Sequence, residues 1–153
     1  MTSESDARPL VVVGVDGSEG SLAALRWAAR YGAATKTPVR AVLVWHYPTA
    51  ASAPPVGHLP AEAEQEVEGE EADTLREALA KAAPDTAGAE LHGVIRYGHP
   101  AEALIEESGR ADLLVVGGRG HGGFLRMRLG SVSQHCVNGA QCPIVVVRSH
   151  QDG

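Results

Sequence analysis

The residues best suited to chemistry lie in one glycine-rich stretch, VVGGRGHGGFLRMRLGSVSQHC, residues 115–136. Glycine loses more backbone entropy on folding than any other residue, so six glycines between positions 117 and 130 indicate backbone that bends sharply or closely approaches another group. Gly117 and Gly120 can present backbone N–H groups to an anion. Gly130 and Ser131 can begin a helix, whose first-turn amides and dipole favour negative charge. We therefore expect these two parts to form a phosphate cradle.

Ser131 is the expected N-cap residue of that helix, because a serine hydroxyl accepts a hydrogen bond from a first-turn amide. The amides of Val132 and Ser133 would then point outward to the ligand. Three arginines add positive charge in an otherwise acidic chain: Arg119, Arg126 and Arg128. The alternative is an ordinary surface loop followed by a capped helix, and the position of the glycines at the carboxyl end of a strand argues against it.

Two other phosphate motifs do not account for the stretch. A Walker A loop requires Gly-x-x-x-x-Gly-Lys followed by Ser or Thr, and the chain contains no Gly-Lys. Gly118, Gly120 and Gly123 match the Gly-x-Gly-x-x-Gly spacing of dinucleotide-binding proteins. That motif opens the first strand–helix–strand unit and precedes a strand with an acidic end about 20 residues on, and neither condition holds here.

Asp16 and His121 are the two side chains that could take part in a reaction at this cradle. Asp16 is the one acidic residue that the sequence places at the same crevice, and one carboxylate together with phosphates can hold Mg²⁺. His121 could act as an acid or a base, although a lone loop histidine is more often a polar contact or exposed to solvent. Efficient phosphoryl transfer also needs a residue that orients the nucleophile. We therefore expect nucleotide and Mg²⁺ binding rather than rapid hydrolysis.

Five apolar segments predict the strands that would position these residues, namely 10–15, 39–46, 91–98, 112–118 and 143–148. Continuous aliphatic runs are typical of parallel strands covered on both faces, whereas the alternation in 91–98 suits an edge strand. Helices are expected up to about residue 35, over 61–83, from 100 onward and over 131–139. The inner face of the second helix would carry Leu75, Ala78, Leu79 and Ala82.

Strands that alternate with helices predict an α/β fold with a parallel, doubly wound five-stranded sheet and helices on both faces. Two strand orders are open, 3-2-1-4-5 and 2-1-3-4-5. Ligands bind where the order reverses, outside the carboxyl ends of the strands. In the first order, the loops after strands 1 and 4 meet at one crevice; in the second, the glycine-rich loop lies to one side.

Length and composition limit the class of protein. A chain of 153 residues is predicted to form one domain over 9–149, with disordered tails at 1–8 and 150–153 and a mobile Pro-rich loop at 47–60. Neither a membrane span nor a signal peptide is recognisable, so we expect a cytoplasmic protein without membrane association. A net charge of −6 and 4% aromatic residues argue against nucleic-acid binding. Cys136 and Cys142 are expected to be inert, reduced thiols.

The pattern Gly117-x-x-Gly120, nine further residues and then Gly130-Ser131 resembles the nucleotide-binding motif of the universal stress protein family. The resemblance extends to VVGVDGSEGS in the first strand and to GSVSQHCVNGAQCPIVVVR at the end, so it covers nearly the whole chain. It implies the order 3-2-1-4-5, ATP binding and a stress-related regulatory role.

The resemblance also implies a set of ligand contacts. Asp16 and the backbone around Gly14 would face the adenosine, and the backbone at the end of the second strand, as far as His46, would contact the adenine edge. Ribose and phosphates would be held by Gly117, Arg119, Gly120, His121, Gly122, Gly123, Gly130, Ser131 and Val132. Gly118 departs from the family pattern, because a small hydroxyl residue is frequent at that position. The Pro-rich loop is particular to this chain.

The expected function is therefore that of an ATP-binding regulatory protein. One alternative is a slow ATPase or nucleotide hydrolase that uses the same cradle, and another is an interaction module that is indifferent to nucleotides. If the cradle is correct, Gly117→Asp should abolish ATP binding without unfolding the chain.

A homodimer is expected through the fifth strand, and the family resemblance points the same way. This strand carries four aliphatic residues in a row before Arg148, and an open apolar strand edge invites association. The four residues are Ile144, Val145, Val146 and Val147.

Overall fold

The computed structural model describes residues 9–45, 61–85, 88–118 and 129–148. Several predictions from the sequence fall outside these residues. They concern the two tails, the loop at 47–60, His46, and the part of the glycine-rich stretch that contains Arg119, Gly120, His121, Gly122 and Gly123.

Strands and helices alternate along the chain as the apolar pattern predicted. The strands are β1 (Val11–Val15), β2 (Val39–Trp45), β3 (Leu91–Tyr97), β4 (Leu113–Gly117) and β5 (Ile144–Val147). The helices are α1 (Glu19–Thr35), α2 (Ala61–Ala82), α3 (Pro100–Ser108) and α4 (Ser131–Gly139), with one 3-10 turn, Ala83–Asp85, after α2.

The five strands form one parallel sheet in the order β3-β2-β1-β4-β5. This confirms the first of the two predicted orders and excludes 2-1-3-4-5. β1 lies in the middle, with Val11 opposite Val39 of β2 on one side and Leu113 of β4 on the other. The direction of winding therefore reverses between β1 and β4, and the carboxyl ends of these two strands face the same crevice.

The central strands are covered on both faces, which explains their unbroken aliphatic sequence. Successive side chains of β1 point to opposite faces, so Val11, Val13 and Val15 pack with α1 and α2, whereas Val12 packs with α3 and α4. The predicted inner face of α2 is confirmed, because Leu75, Ala78 and Ala82 are buried and Leu79 packs against the same cluster. β3 and β5 are the two outer strands, and the prediction of an edge at residues 91–98 is also confirmed.

A buried ion-pair cluster attaches α3 to the β3 side of the sheet. Glu107 of α3 is only 2% exposed. Its carboxylate accepts hydrogen bonds from Arg40 Nε of β2 at 2.8 Å and from Arg96 Nη1 of β3 at 3.2 Å. Burial by itself would raise the pKa of Glu107, but the two guanidinium groups outweigh it and lower the pKa below its ordinary value.

Candidate functional site

The loops after β1 and β4 meet through direct contact between Gly117 and the start of α1. A Cβ atom on Gly117 would lie 2.6 Å from the carbonyl oxygen of Gly20 and 3.1 Å from the amide nitrogen of Ser21. These are backbone atoms, which cannot rotate away as a side chain can. Glycine is therefore required at position 117, because two backbone segments approach each other there.

The start of α4 is attached to the same strand end. Gly130 N–H donates to the carbonyl oxygen of Gly118 at 2.8 Å, so the chain returns at Gly130 to the point where it left β4. The Ser133 hydroxyl also donates a hydrogen bond to the carbonyl oxygen of Gly117. The first turn of α4 is thus held directly above the carboxyl end of β4.

Gly130, and not Ser131, is the N-cap residue of α4, so the sequence prediction on this point was wrong. Gly130 has extended backbone angles (φ −63°, ψ 164°) and accepts from Gln134 N–H at 2.9 Å, which makes Ser131 the first helical residue. No side-chain hydrogen bond caps this end of the helix. The helix starts one residue early because Gly130 is tied to Gly118, and this puts the exposed Ser131 side chain at the rim.

Reasoning from the sequence considered only the amide of Ser133 and missed the role of its side chain. Ser133 is buried, although serine is polar. Its hydroxyl does not cap the helix but bonds to Gly117, and so attaches α4 to the end of β4. The available signal was the repeated serine in Gly-Ser-Val-Ser, since residues two apart near a helix start point in different directions. Only the packing of α4 on the sheet decides which serine faces inward.

Gly118 and Gly14 have structural roles of their own. The amide of Gly118 donates to the carbonyl oxygen of Val147 in β5 at 2.9 Å, so it belongs to the sheet. On Gly14, a Cβ atom would lie 2.8 Å from Leu104 Cδ1, so glycine there lets α3 pack closely on β1. The packing of Leu104 therefore explains why position 14 is a glycine, independently of any contact between its backbone and a ligand.

Asp16 follows β1 in a turn that closes on itself. Its Oδ1 atom accepts from Ser18 N–H at 2.8 Å, and its own N–H donates to Ser21 Oγ at 3.1 Å. Gly17 takes a positive φ of 84°, and Thr74 of α2 packs against it, with the threonine Cγ2 atom 3.1 Å from where a Cβ would stand. The carboxylate is exposed at the crevice but held in a fixed direction by the turn.

The described part of the site contains no cluster of acidic or sulfur ligands that could bind a metal ion by itself. Among the described residues, no group of three or more His, Cys, Asp and Glu side chains converges. The two cysteines are free thiols, and burial raises the pKa of Cys136 to about 11. Burial and the charge of Asp112 raise that of Cys142. Both are therefore protonated at neutral pH, as expected for inert thiols.

The structure thus brings Asp16, Gly117, Gly130, Ser131 and Val132 to one edge of the sheet, whereas Gly14 lies below them in β1. The remaining predicted contacts, from His46 and from residues 119–123, lie outside the described residues. One expectation needs correction. Gly117→Asp cannot leave the fold undisturbed, because any side chain there meets the backbone of Gly20 and Ser21.

Comparisons with family models, with curated proteins and with solved structures all point to the same family. The model of the universal stress protein family matches residues 9–148. A universal stress protein of Mycolicibacterium smegmatis is 36% identical over 143 residues, which cover 94% of this chain and 47% of that protein. The chain therefore spans about half the length of this relative. None of the helices described here is both long and apolar enough to cross a membrane.

Two solved structures share the fold over nearly their whole length. The universal stress protein UspA from Lactobacillus plantarum is 26% identical, with a TM-score of 0.72 over 93% of this chain and 99% of that one. A universal stress protein solved in complex with cAMP is 27% identical, with a TM-score of 0.67 over 93% and 98% of the two chains. With the family match, the sheet order and the glycine pattern, these likenesses lead to one conclusion: the chain belongs to the universal stress protein family.

Proposed function

We propose that this chain is an ATP-binding regulatory protein of the cytoplasm that holds the nucleotide across the carboxyl ends of β1 and β4. The single observation that carries the proposal is the first turn of α4. It lies at the point where the strand order reverses, is fixed to Gly117 and Gly118, and has no side-chain cap. A helix start with amide donors and a positive dipole end favours phosphate.

Two further observations support a nucleotide rather than another anion. The universal stress protein that is 27% identical to this chain was solved in complex with cAMP, an adenine nucleotide. The glycine spacing that resembles the family motif is complete in this chain, with Gly117, Gly120 and Gly130-Ser131. In this proposal, the backbone around Gly14 and His46 lies near the adenosine, and Arg119, Gly120, His121, Gly122 and Gly123 complete the enclosure of the ribose and phosphates.

Asp16 is the proposed protein ligand of Mg²⁺. The residues around it fit a magnesium ion bound mainly by the nucleotide, because Mg²⁺ commonly takes one or two carboxylates together with substrate phosphates. When bound, the ion would neutralise phosphate charge. The hydrogen bond from Ser18 N–H to Oδ1 restrains the carboxylate, and the exposure of Asp16 after the end of β1 supports this role.

Binding without fast turnover is the mechanism that these residues support. The described residues supply no lysine positioned as in a P-loop, and Asp16 is the one carboxylate that this proposal assigns to the nucleotide. We therefore expect phosphate release far below the ordinary enzyme median of about 10 s⁻¹. A rate near that value, lost in both Asp16→Ala and His121→Ala, would establish the alternative of an ATPase.

The decisive test changes the charge at the start of α4 without disturbing the fold. Ser131 is exposed and occupies the first helical position, where an acidic side chain stabilises a helix. Ser131→Asp should therefore fold normally but place a carboxylate where the phosphates bind. We expect ATP affinity to fall by about 10- to 100-fold, the worth of one charge-assisted hydrogen bond, in a calorimetric titration.

Ser131→Asn is the matched control, since it has the same size without the charge. Its affinity for ATP should stay within about threefold of the wild type. An unchanged affinity in Ser131→Asp would exclude α4 as the phosphate site. A wild-type chain that binds no ATP would leave the nucleotide-independent interaction module as the function.

The proposed partner is a second copy of the chain, joined through β5. Leu114 N–H and Gly118 N–H donate to the carbonyl oxygens of Pro143 and Val147. In a parallel ladder, bonding alternates along the strand, so the backbone groups of Ile144 and Val146 point away from β4. Pairing with the same strand of another copy would satisfy these groups around a two-fold axis.

Val146→Pro tests this dimer and leaves the backbone hydrogen bonds from β4 to Pro143 and Val147 in place. It removes an N–H that points outward, and proline is tolerated in edge strands. Val146→Lys is a harsher choice, because Val146 also packs against the apolar cluster around Leu114 and Cys136. Light scattering should give a dimer for the wild type and a monomer for Val146→Pro. A monomeric wild type at micromolar concentration would reject the dimer.

A further inference from the structure

An aromatic pair lies at the carboxyl ends of β2 and β3. Trp45 and Tyr97 are opposite each other in the last register pair of these strands. Their ring centroids are 5.6 Å apart and their planes are at 89°, an edge-to-face arrangement. Tyr97 is 45% exposed and Trp45 is half-buried. Gly98 N–H donates to the carbonyl oxygen of Trp45 at 2.9 Å, which fixes the two strand ends relative to each other.

This pair is next to the turn that carries Asp16. Val15 of β1 pairs with Leu43 of β2, so the chain leaves β1 for the turn at Asp16 two residues before the end of the neighbouring strand β2, at Trp45. Because side chains alternate along a strand, Trp45 leaves the sheet on the same face as Leu43, the face that carries α1 and α2. Thr74 of α2 closes against Gly17 on that face as well.

The spacing of the strands matches the size of a nucleotide. Adjacent strands lie about 4.8 Å apart, so the end of β2 is roughly 10 Å from the end of β4, where α4 begins. This is the order of the distance from a phosphate group to the base in a nucleotide. A ligand whose phosphates bind at α4 and whose sugar lies above β1 would therefore bring its base to the end of β2.

We propose that the Trp45–Tyr97 pair contacts the nucleobase of the bound nucleotide, an inference that rests on the proposed nucleotide binding. Trp45 would supply the aromatic surface, and Tyr97, packed edge to face against it, would position that surface. The contribution of the pair is to favour nucleotides over phosphate compounds without a base. Stacking uses the face of the base and not its edge, so it adds affinity with little preference among bases.

A second aromatic pair in the same chain provides a natural control. Trp27 and Tyr31 stack at 5.3 Å with their planes at 12°, and Tyr31 is 38% exposed. They lie on α1 about 12 and 18 Å along the helix axis from Glu19, where the helix begins at the crevice. The chain has two tryptophans, so each pair holds one fluorescent reporter.

The experiment uses two conservative single-tryptophan variants of the full chain. Trp27→Phe leaves Trp45 as the only tryptophan, and Trp45→Phe leaves Trp27. Each is titrated with ATP and with inorganic tripolyphosphate, and binding is measured independently by calorimetry. We expect ATP to change the emission of Trp27→Phe and not that of Trp45→Phe. Tripolyphosphate should compete with ATP without changing either emission.

A third variant measures the affinity directly. Trp45→Ala should weaken ATP binding by about 5- to 150-fold, the range for loss of one base–aromatic contact, and leave tripolyphosphate affinity within about twofold. ATP binding with no emission change in Trp27→Phe, or the same change with tripolyphosphate, would overturn the base contact and leave the nucleotide site standing. Wild-type protein that binds neither compound would overturn the proposed function itself.

Discussion

Two helices begin at the same edge of the sheet, α1 after β1 and α4 after β4, and their first turns are completed in different ways. At α1, the Ser18 hydroxyl accepts from Ser21 N–H at 3.2 Å, and the Ser21 hydroxyl in turn donates to the carbonyl oxygen of Ser18 at 3.1 Å. Both serines are buried, and Glu19 adds a negative charge to the first turn. The first turn of α1 is therefore capped by side chains of the protein itself.

At α4, the N-cap residue is Gly130, which has no side chain to offer, and the first turn contains no acidic residue. The nearby serine, Ser133, is used to bind the strand and not to cap the helix. The difference between these two helix starts indicates that the two helices have different roles. α1 closes the crevice from one side as a structural element, whereas α4 faces it with a helix end that favours an anion.

Substitution at Gly117 is expected to have the largest effect on stability. This residue lies between the first turns of α1 and α4 and contacts both of them. Gly117→Ala should lower the free energy of unfolding by about 3 kcal/mol, since the new methyl group would overlap backbone of Gly20 and Ser21. Gly118→Ala is the matched control. A Cβ there would meet its nearest neighbours at 3.6 Å, so the loss should stay below about 1 kcal/mol. Urea denaturation measures both, and equal losses would contradict the contact between the two loops.

A smaller loss is expected for Glu107→Gln, which tests a third helix start. α3 also has no side-chain cap, but its first residue is Pro100, which lacks an N–H, and the helix is held by the cluster around Glu107. We expect a loss of about 2–3 kcal/mol at pH 7, less than the roughly 3–5 kcal/mol of a fully buried ion pair because the arginine side chains are 28–29% exposed.

The pH dependence of that loss follows from the lowered pKa of Glu107. A carboxylate whose pKa is lower in the folded state stabilises the protein fully above its unfolded pKa and loses this effect as the pH falls through its folded pKa. The difference in stability between wild type and Glu107→Gln should therefore be largest at neutral pH and shrink in acid. A difference that does not change between pH 7 and pH 3 would show that shape, not charge, holds α3.

The smallest effects are expected for a matched pair of serines at the two helix starts. Ser18→Ala removes the cap of α1 and should lower stability by about 1 kcal/mol, with ATP affinity within about twofold of the wild type. Ser131→Ala removes no cap and should change stability by less than about 0.5 kcal/mol. Thermal unfolding and calorimetry measure the two quantities. If Ser131→Ala were the more destabilising, the assignment of Gly130 as N-cap would be wrong.

Much of the fold was predictable because local pattern and overall architecture agree. Continuous runs such as residues 11–15 and 113–116 indicated parallel strands buried on both faces, and the helical spacing of Leu75, Ala78 and Ala82 indicated the face that α2 buries. These patterns are dictated by the period of each element, so they can be read without knowing which strands are neighbours. The order of the strands could not be derived from these patterns, and the residues alone left the orders 3-2-1-4-5 and 2-1-3-4-5 open.

The details of the site depended on contacts between segments that are far apart in the sequence. The glycine pattern at 117–130 predicted close approach, but not that Gly117 packs on the backbone of α1 or that Gly130 is tied to Gly118. Nor could the sequence distinguish Ser131 from Ser133, because a residue acts as a cap only if the chain before it is free to turn there. The sequence by itself determined the family, the kinds of elements and the type of ligand to expect. Only the tertiary structure decided which backbone amides lie beside the Asp16 carboxylate at the carboxyl ends of β1 and β4, because that depends on how strands distant in sequence are placed side by side.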